Sequence, residues 1–200
     1  MREPSRRSAL FGFAGALCCV APACAQTPPS RATRLISAAR AQIGVTTIYD
    51  PAYVQLAFPR GDIGRERGVC TDVIVRAYRD GLDLDLQALV NADMRTAFGA
   101  YPRTWGLRGT DANIDHRRVP NLQTFLTRKG ARLPLSTRAV DWLPGDLVTC
   151  LVGRTLPHIG IVSDRKAPSG NPLVIHNVGR GTQEEDVLFA FVNTGRFRWV

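Results

Sequence analysis

The apolar period of this chain changes once, at Pro144-Gly145, and that switch constrains the fold more than any other feature. Upstream, apolar residues recur at helical spacing. Leu35, Ile36, Ala39 and Ile43 mark a helix over 31–43 that Gly44 ends, and Cys70, Val73, Ile74, Ala77 and Tyr78 mark a central buried helix closed by Gly81. A third helix is predicted from about Asp83 through Leu86, Leu89, Val90 and Met94, and Val119-Pro120-Asn121 opens a fourth that carries Leu122, Phe125 and Leu126 to Gly130. The connection over 99–118 reads as irregular. Downstream, the runs 146–152, 158–162, 172–178, 187–192 and 196–200 are short, β-rich and separated by turn residues. Helices followed by an antiparallel sheet is an α+β order, and the length suits one domain over 31–200 after a linker at 26–30.

The first 25 residues read as an export signal. Arg6-Arg7 precede an apolar run from Leu10 to Val20, and Ala23-Cys24-Ala25 is a small-residue cleavage site. The run is shorter than the roughly 20 apolar residues of a membrane anchor, so the mature chain is expected to be periplasmic or secreted, without a transmembrane anchor. The paired arginines also fit a twin-arginine signal; a lipid-modified Cys24 lacks the usual leucine three positions earlier. Cleavage would remove Cys18, Cys19 and Cys24, leaving Cys70 and Cys150 either to pair in an oxidising compartment or to stay free. The formal charge of +9 points, in an exported protein, to anionic wall polymers or lipid head groups rather than to nucleic acid.

Cys70 at a helix start meets unpaired N–H groups and the positive end of the helix dipole, which favour thiolate. A histidine at the start of a later strand, His158, is a candidate base. If 162 pairs with 172 across the following loop, His158 falls opposite His176, both rings share one face, and Gly160 leaves room for the helix bearing Cys70.

The strings Gly68-Val69-Cys70-Thr71-Asp72, Pro144-Gly145-Asp146-Leu147-Val148, His158-Ile159-Gly160-Ile161-Val162 and Ile175-His176-Asn177 resemble, in order and spacing, the NlpC-type papain-like cell-wall cysteine peptidases and amidases. With Asn113-Ile114-Asp115-His116-Arg117-Arg118-Val119-Pro120-Asn121, they look like an uncharacterised bacterial branch of that superfamily, a domain of unknown function. The resemblance implies a papain-like fold, Cys70 as nucleophile, His158 as general base, His176 as third member of a Cys-His-His triad, peptidoglycan or muropeptides as substrate, and no cofactor or metal. It departs from the family at Val69-Cys70-Thr71, where relatives carry Asp-Cys-Ser.

Asp111, Asn113, Asp115, His116, Arg117 and Arg118 form a dense charged stretch that reads either as a wall of the substrate cleft, with the arginines available to carboxylates, or as a salt-bridged loop pinning the irregular segment before the fourth helix. Tyr49, Asp50 and Tyr53 lie upstream of the nucleophile, where relatives place a tyrosine, and either tyrosine fits. Glu184, Glu185 and Asp186 read as a turn cap that faces solvent, with a basic loop such as Arg180 as the alternative partner. The expected protein is a monomeric, thiol-dependent amidase or endopeptidase. Two other classes fit the same residues: a metal-dependent hydrolase recruiting His116, His158 and His176, and a non-catalytic wall-binding module.

Overall fold

The computed structural model describes residues 28–200, so the expected signal segment, its cleavage site and Cys24 lie outside the described residues. Four α-helices come first: α1 (Arg31–Arg40), α2 (Cys70–Leu82), α3 (Leu86–Ala97) and α4 (Val119–Arg128). Two short strands, β1 (Ile48–Tyr49) and β2 (Arg67–Gly68), pair in parallel just before α2. The remaining strands, β3 (Arg132–Leu133), β4 (Leu147–Val152), β5 (Leu156–Lys166), β6 (Pro172–Asn177), β7 (Thr182–Glu185) and β8 (Val192–Phe197), form an antiparallel sheet in the order β3-β8-β4-β5-β6-β7. The chain is therefore α+β, as its change of period implied. No helix among the described residues is long and apolar enough to cross a membrane.

Alternation along the strands splits the sheet into two faces. Leu147, Ile159, Ile161 and Ile175 pack with α1, α2 and α4 in the main core, whereas Val148, Val162 and Val174 form a second cluster with Trp142 and Leu188. Gly81 lies within α2 rather than ending it: a Cβ there would come 2.7 Å from the Arg34 carbonyl oxygen, so its absence lets α1 and α2 cross closely. Asp83 takes the left-handed turn that ends the helix, at φ 54°.

Two strand expectations need correction. The apolar run 187–192 is mostly not a strand; Leu188 drops into the second cluster and only Val192 begins β8. The strand expected at 196–200 runs over Val192–Phe197 instead. One edge strand is the polar stretch Thr182-Gln183-Glu184-Glu185, in which Gln183, Glu184 and Glu185 use their side chains in ion pairs and hydrogen bonds and so show no apolar alternation. Arg40 of α1 holds it, with Nη2 2.8 Å and Nε 3.2 Å from the Glu184 carboxylate.

Candidate active site

Cys70 opens α2 because Val69 is extended (φ −107°, ψ −176°) and Asp72, three positions on, reaches back to accept the Val69 N–H at 2.7 Å. Arg117 locks this turn from the other side. Its Nε and Nη2 lie 2.9 and 3.0 Å from the two Asp72 oxygens, its Nη1 and Nη2 donate to the Ala52 and Asp50 carbonyls, and its own carbonyl accepts from Thr71 Oγ1 at 2.9 Å. Arg117 is thus spent on holding the turn that carries Cys70 and is not free for a substrate carboxylate.

The sheet brings the two histidines together, by a register different from the expected one. Ile161 pairs with Ile175 and Val162 with Val174, two residues from the anticipated pairing, with a bulge before Lys166 pairs with Pro172. A slip of two keeps every side chain on its face. His176 then stands across from Gly160, where a Cβ would lie 3.2 Å from that of His176 and 2.5 Å from Val174 Cγ1. Gly160 therefore makes room for β6 and not for the helix bearing Cys70. The rings meet diagonally, with His158 Nε2 2.9 Å from His176 Nδ1.

From His176 the chain of hydrogen bonds continues. Its Nε2 lies 3.1 Å from Glu185 Oε2, and Arg180 Nη2 donates to the other Glu185 oxygen at 2.7 Å. Glu185 is a strand residue and not a solvent-facing turn cap: it meets the alternative partner, Arg180, and also faces the histidine pair. The carboxylate can only accept, so His176 donates from Nε2 and accepts at Nδ1, and His158 donates from Nε2. This leaves the lone pair of His158 on Nδ1. The Ile159 N–H, one residue on, approaches the Cys70 thiol together with the Thr71 N–H. Asn177 Nδ2 donates to the Gly68 carbonyl at 3.0 Å, tying the end of β6 to the turn that carries Cys70.

Burial reverses the expected thiolate. Desolvation pushes the Cys70 thiol up to about 12, outweighing the Ile159 and Thr71 N–H groups, and the Asp72 charge adds to the rise. Desolvation, then the neighbouring His176, pushes His158 down to about 3. Thiol and imidazole are therefore both neutral at rest, and no hydrogen bond joins Cys70 to His158 among the described residues. Cys150, across β4–β5 from His158, is also buried and free, so Cys70 and Cys150 form no disulfide.

Cys70 opens onto a cleft of about 230 Å³ lined by Tyr49, Trp105, Arg117, Arg118, Val119 and Pro157 among others. Tyr49 is the tyrosine at this rim, and burial is the main cause that raises its pKa. Tyr53 instead points to the loop beyond, where its hydroxyl donates to Asp111 and accepts from Asn113 Nδ2. Asp50 pairs with Arg67 at 3.0 Å and accepts from the Ala52 N–H. Asp115 and His116 are buried behind the cleft and do not line it. Asp115 accepts from the Asp111 N–H, and His116 Nδ1 has no partner. No group of three His, Cys, Asp or Glu able to hold a metal ion occurs among the described residues, and His116 does not join the other two histidines.

The histidines carry a pH prediction. Burial holds His116 down to about 4 as well as His158 to about 3, and lowers His176. Unfolded histidine titrates near 6.5, so between about 4 and 6.5 the unfolded chain binds protons that the folded chain does not, and stability falls as pH falls through that window. Tm should drop between pH 7 and pH 4.5. His116→Gln should flatten that drop, removing on the order of 3 kcal/mol of acid sensitivity. An identical pH dependence in the variant would show that His116 takes up its proton in the folded state.

Comparison with known sequences gives this arrangement a family. Residues 36–199 match a family model described as a domain of unknown function, DUF1287. The chain is 48% identical over 180 residues to the "Uncharacterized protein YijF" of Escherichia coli (strain K12), covering 90% of this chain and 87% of that one. With nearly all of the helical layer and the sheet inside that match, the chain belongs to the DUF1287 family.

Proposed function

We propose that the protein is an exported thiol-dependent hydrolase of amide bonds, with a papain-like arrangement of the NlpC type and peptidoglycan peptides as its substrate. The observation that carries this reading is the Glu185–His176–His158 chain, which leaves an unprotonated Nδ1 on the residue beside the backbone N–H that meets Cys70. The sequence resemblance adds the order and spacing of the motifs.

Because thiol and imidazole are both neutral, the proton leaves Sγ as sulfur attacks. His158 Nδ1 accepts it while an S–C bond forms to the amide carbonyl, whose π electrons move onto oxygen. The Val69 N–H is committed to Asp72, so the N–H of Cys70 itself and the Tyr49 hydroxyl are the donors at hand for the oxyanion. The tetrahedral intermediate collapses with cleavage of the C–N bond, and the imidazolium returns its proton to the departing amine. Water then attacks the thioester, giving its proton to His158, and the carboxylic acid leaves as the proton returns to sulfur. His176 and Glu185 hold the tautomer throughout.

Incubation with purified muropeptides, followed by mass spectrometry, tests this. Wild type should yield products carrying one added water per cut amide, and Cys70→Ala should yield none at nearly the same Tm. A second reading rests on the burial of Cys70, 5% exposed: the cleft binds wall peptides without cutting them. It predicts equal muropeptide binding by wild type and Cys70→Ala, no product from either, and a Cys70 inert to alkylation.

A further inference from the structure

We propose that Arg118, laid on Trp105, is a carboxylate-binding specificity residue of the cleft, so that the favoured substrates are peptides with a free carboxylate close to the bond attacked. This rests on the reading of the cleft as the place where an acyl substrate meets Cys70. The cleft is walled mainly by apolar groups, including Tyr49, Ile114, Val119 and Pro157, and the charged side chains on it are Arg117 and Arg118. Arg117 is neutralised by Asp72 through two short bonds. Arg118 is not neutralised in that way. Its one ion pair joins a single nitrogen, Nη1, to Asp115 Oδ1 at 3.4 Å, and no acceptor meets its Nε or Nη2 among the described residues.

The acidic groups behind it are occupied elsewhere. Asp115 Oδ2 accepts from the Asp111 N–H at 2.6 Å, and the Asp111 carboxylate accepts from the Tyr53 hydroxyl at 3.1 Å and the Asn113 N–H at 2.9 Å. The Arg118 guanidinium carbon lies over the Trp105 ring, 4.1 Å from its centre, a cation–π contact that uses up none of the N–H donors. A guanidinium with two unused N–H directions in an apolar trough matches the two oxygens of a carboxylate. Burial lowers the pKa of Arg118, and an incoming anion would relieve that cost. Two helices also begin on this wall, α2 at Cys70 and α4 at Val119, and their positive ends favour the same sign of ligand.

Iodoacetate and iodoacetamide test this, because they alkylate the same sulfur and differ in carrying a carboxylate or an amide. The readout is the ratio of their rates at Cys70 in the mature protein at fixed pH and low salt. Arg118→Gln should lower the iodoacetate-to-iodoacetamide ratio about tenfold, and Arg118→Lys, which keeps the charge but not the fork, should lower it about threefold. Equal ratios in wild type and both variants would overturn the proposal. Should Arg118→Gln fail to fold, the lysine variant carries the test alone: an unchanged ratio overturns the proposal and a reduced one supports it. A ratio that depends on Arg118 in a protein that turns over no muropeptide would sink the hydrolase reading and leave the anion site standing.

Discussion

A His158→Ala variant is expected to lose acylation of Cys70 by about 10²–10⁴-fold, the usual worth of a positioned general base. The loss should sit near the top of that range because the thiol starts from about 12 and yields no thiolate of its own at neutral pH. His176 should behave differently, since in the proposed mechanism it only accepts a hydrogen bond at Nδ1 from His158 Nε2 across 2.9 Å. In His176→Asn the amide oxygen falls near that Nδ1 and keeps the acceptor, so measurable turnover should survive without the link to Glu185. His176→Gln sets its oxygen one bond further out and should retain less, and His176→Ala should approach His158→Ala. Single-turnover acylation by an activated ester across the four variants, each checked for folding by circular dichroism, decides the matter. Equal residual rates in His176→Ala and His176→Asn would remove His176 from the relay, and full activity in His158→Ala would overturn the assignment of the base.

The largest stability effect is expected at Asp72, 4% exposed and bonded to three N–H groups. Asp72→Ala leaves the Arg117 guanidinium charged and buried with only the Ala52 and Asp50 carbonyls as company, and it frees the Val69 N–H. Breaking a buried pair from one side costs about 3–5 kcal/mol. Asp72→Asn keeps an acceptor for Val69 and should cost less. Urea unfolding at pH 7 with unchanged m-value measures both, and a loss below about 1 kcal/mol for Asp72→Ala would show that solvent reaches Arg117.

Much of the fold could be read in the sequence because apolar period reports which face of an element is buried. The start of α2 at Cys70, the entry of α4 at Val119-Pro120 and the strands β4, β5 and β6 all follow that rule. It fails at Thr182–Glu185, a strand stabilised by charge, and at Leu188, an apolar side chain buried from a turn. The histidine pair was legible as a pair sharing a face, since parity survives a register shift of two residues, but the bulge within β5 that sets the true pairing leaves no mark in composition. Glu185 went unrecognised for the same reason as its strand. Arg117 and Arg118, adjacent and alike in sequence, separate only in three dimensions: one meets a buried carboxylate squarely, the other meets one at its fringe.

His158, His176 and Glu185 sit on β5, β6 and β7, three neighbouring strands. The rungs of the relay are therefore spaced by the main chain, at the roughly 4.8 Å that separates any two strands, and side-chain length only has to fill that interval. A substitution at His176 or Glu185, which only orient His158 in the proposed mechanism, can be answered by another residue of similar reach. An inserted or deleted residue in the turn at 178–181 has no such remedy, for it carries Glu185 to the far side of the sheet while the ladder itself can still close. In evolutionary terms, this turn should resist changes of length more strongly than the relay resists changes of chemistry.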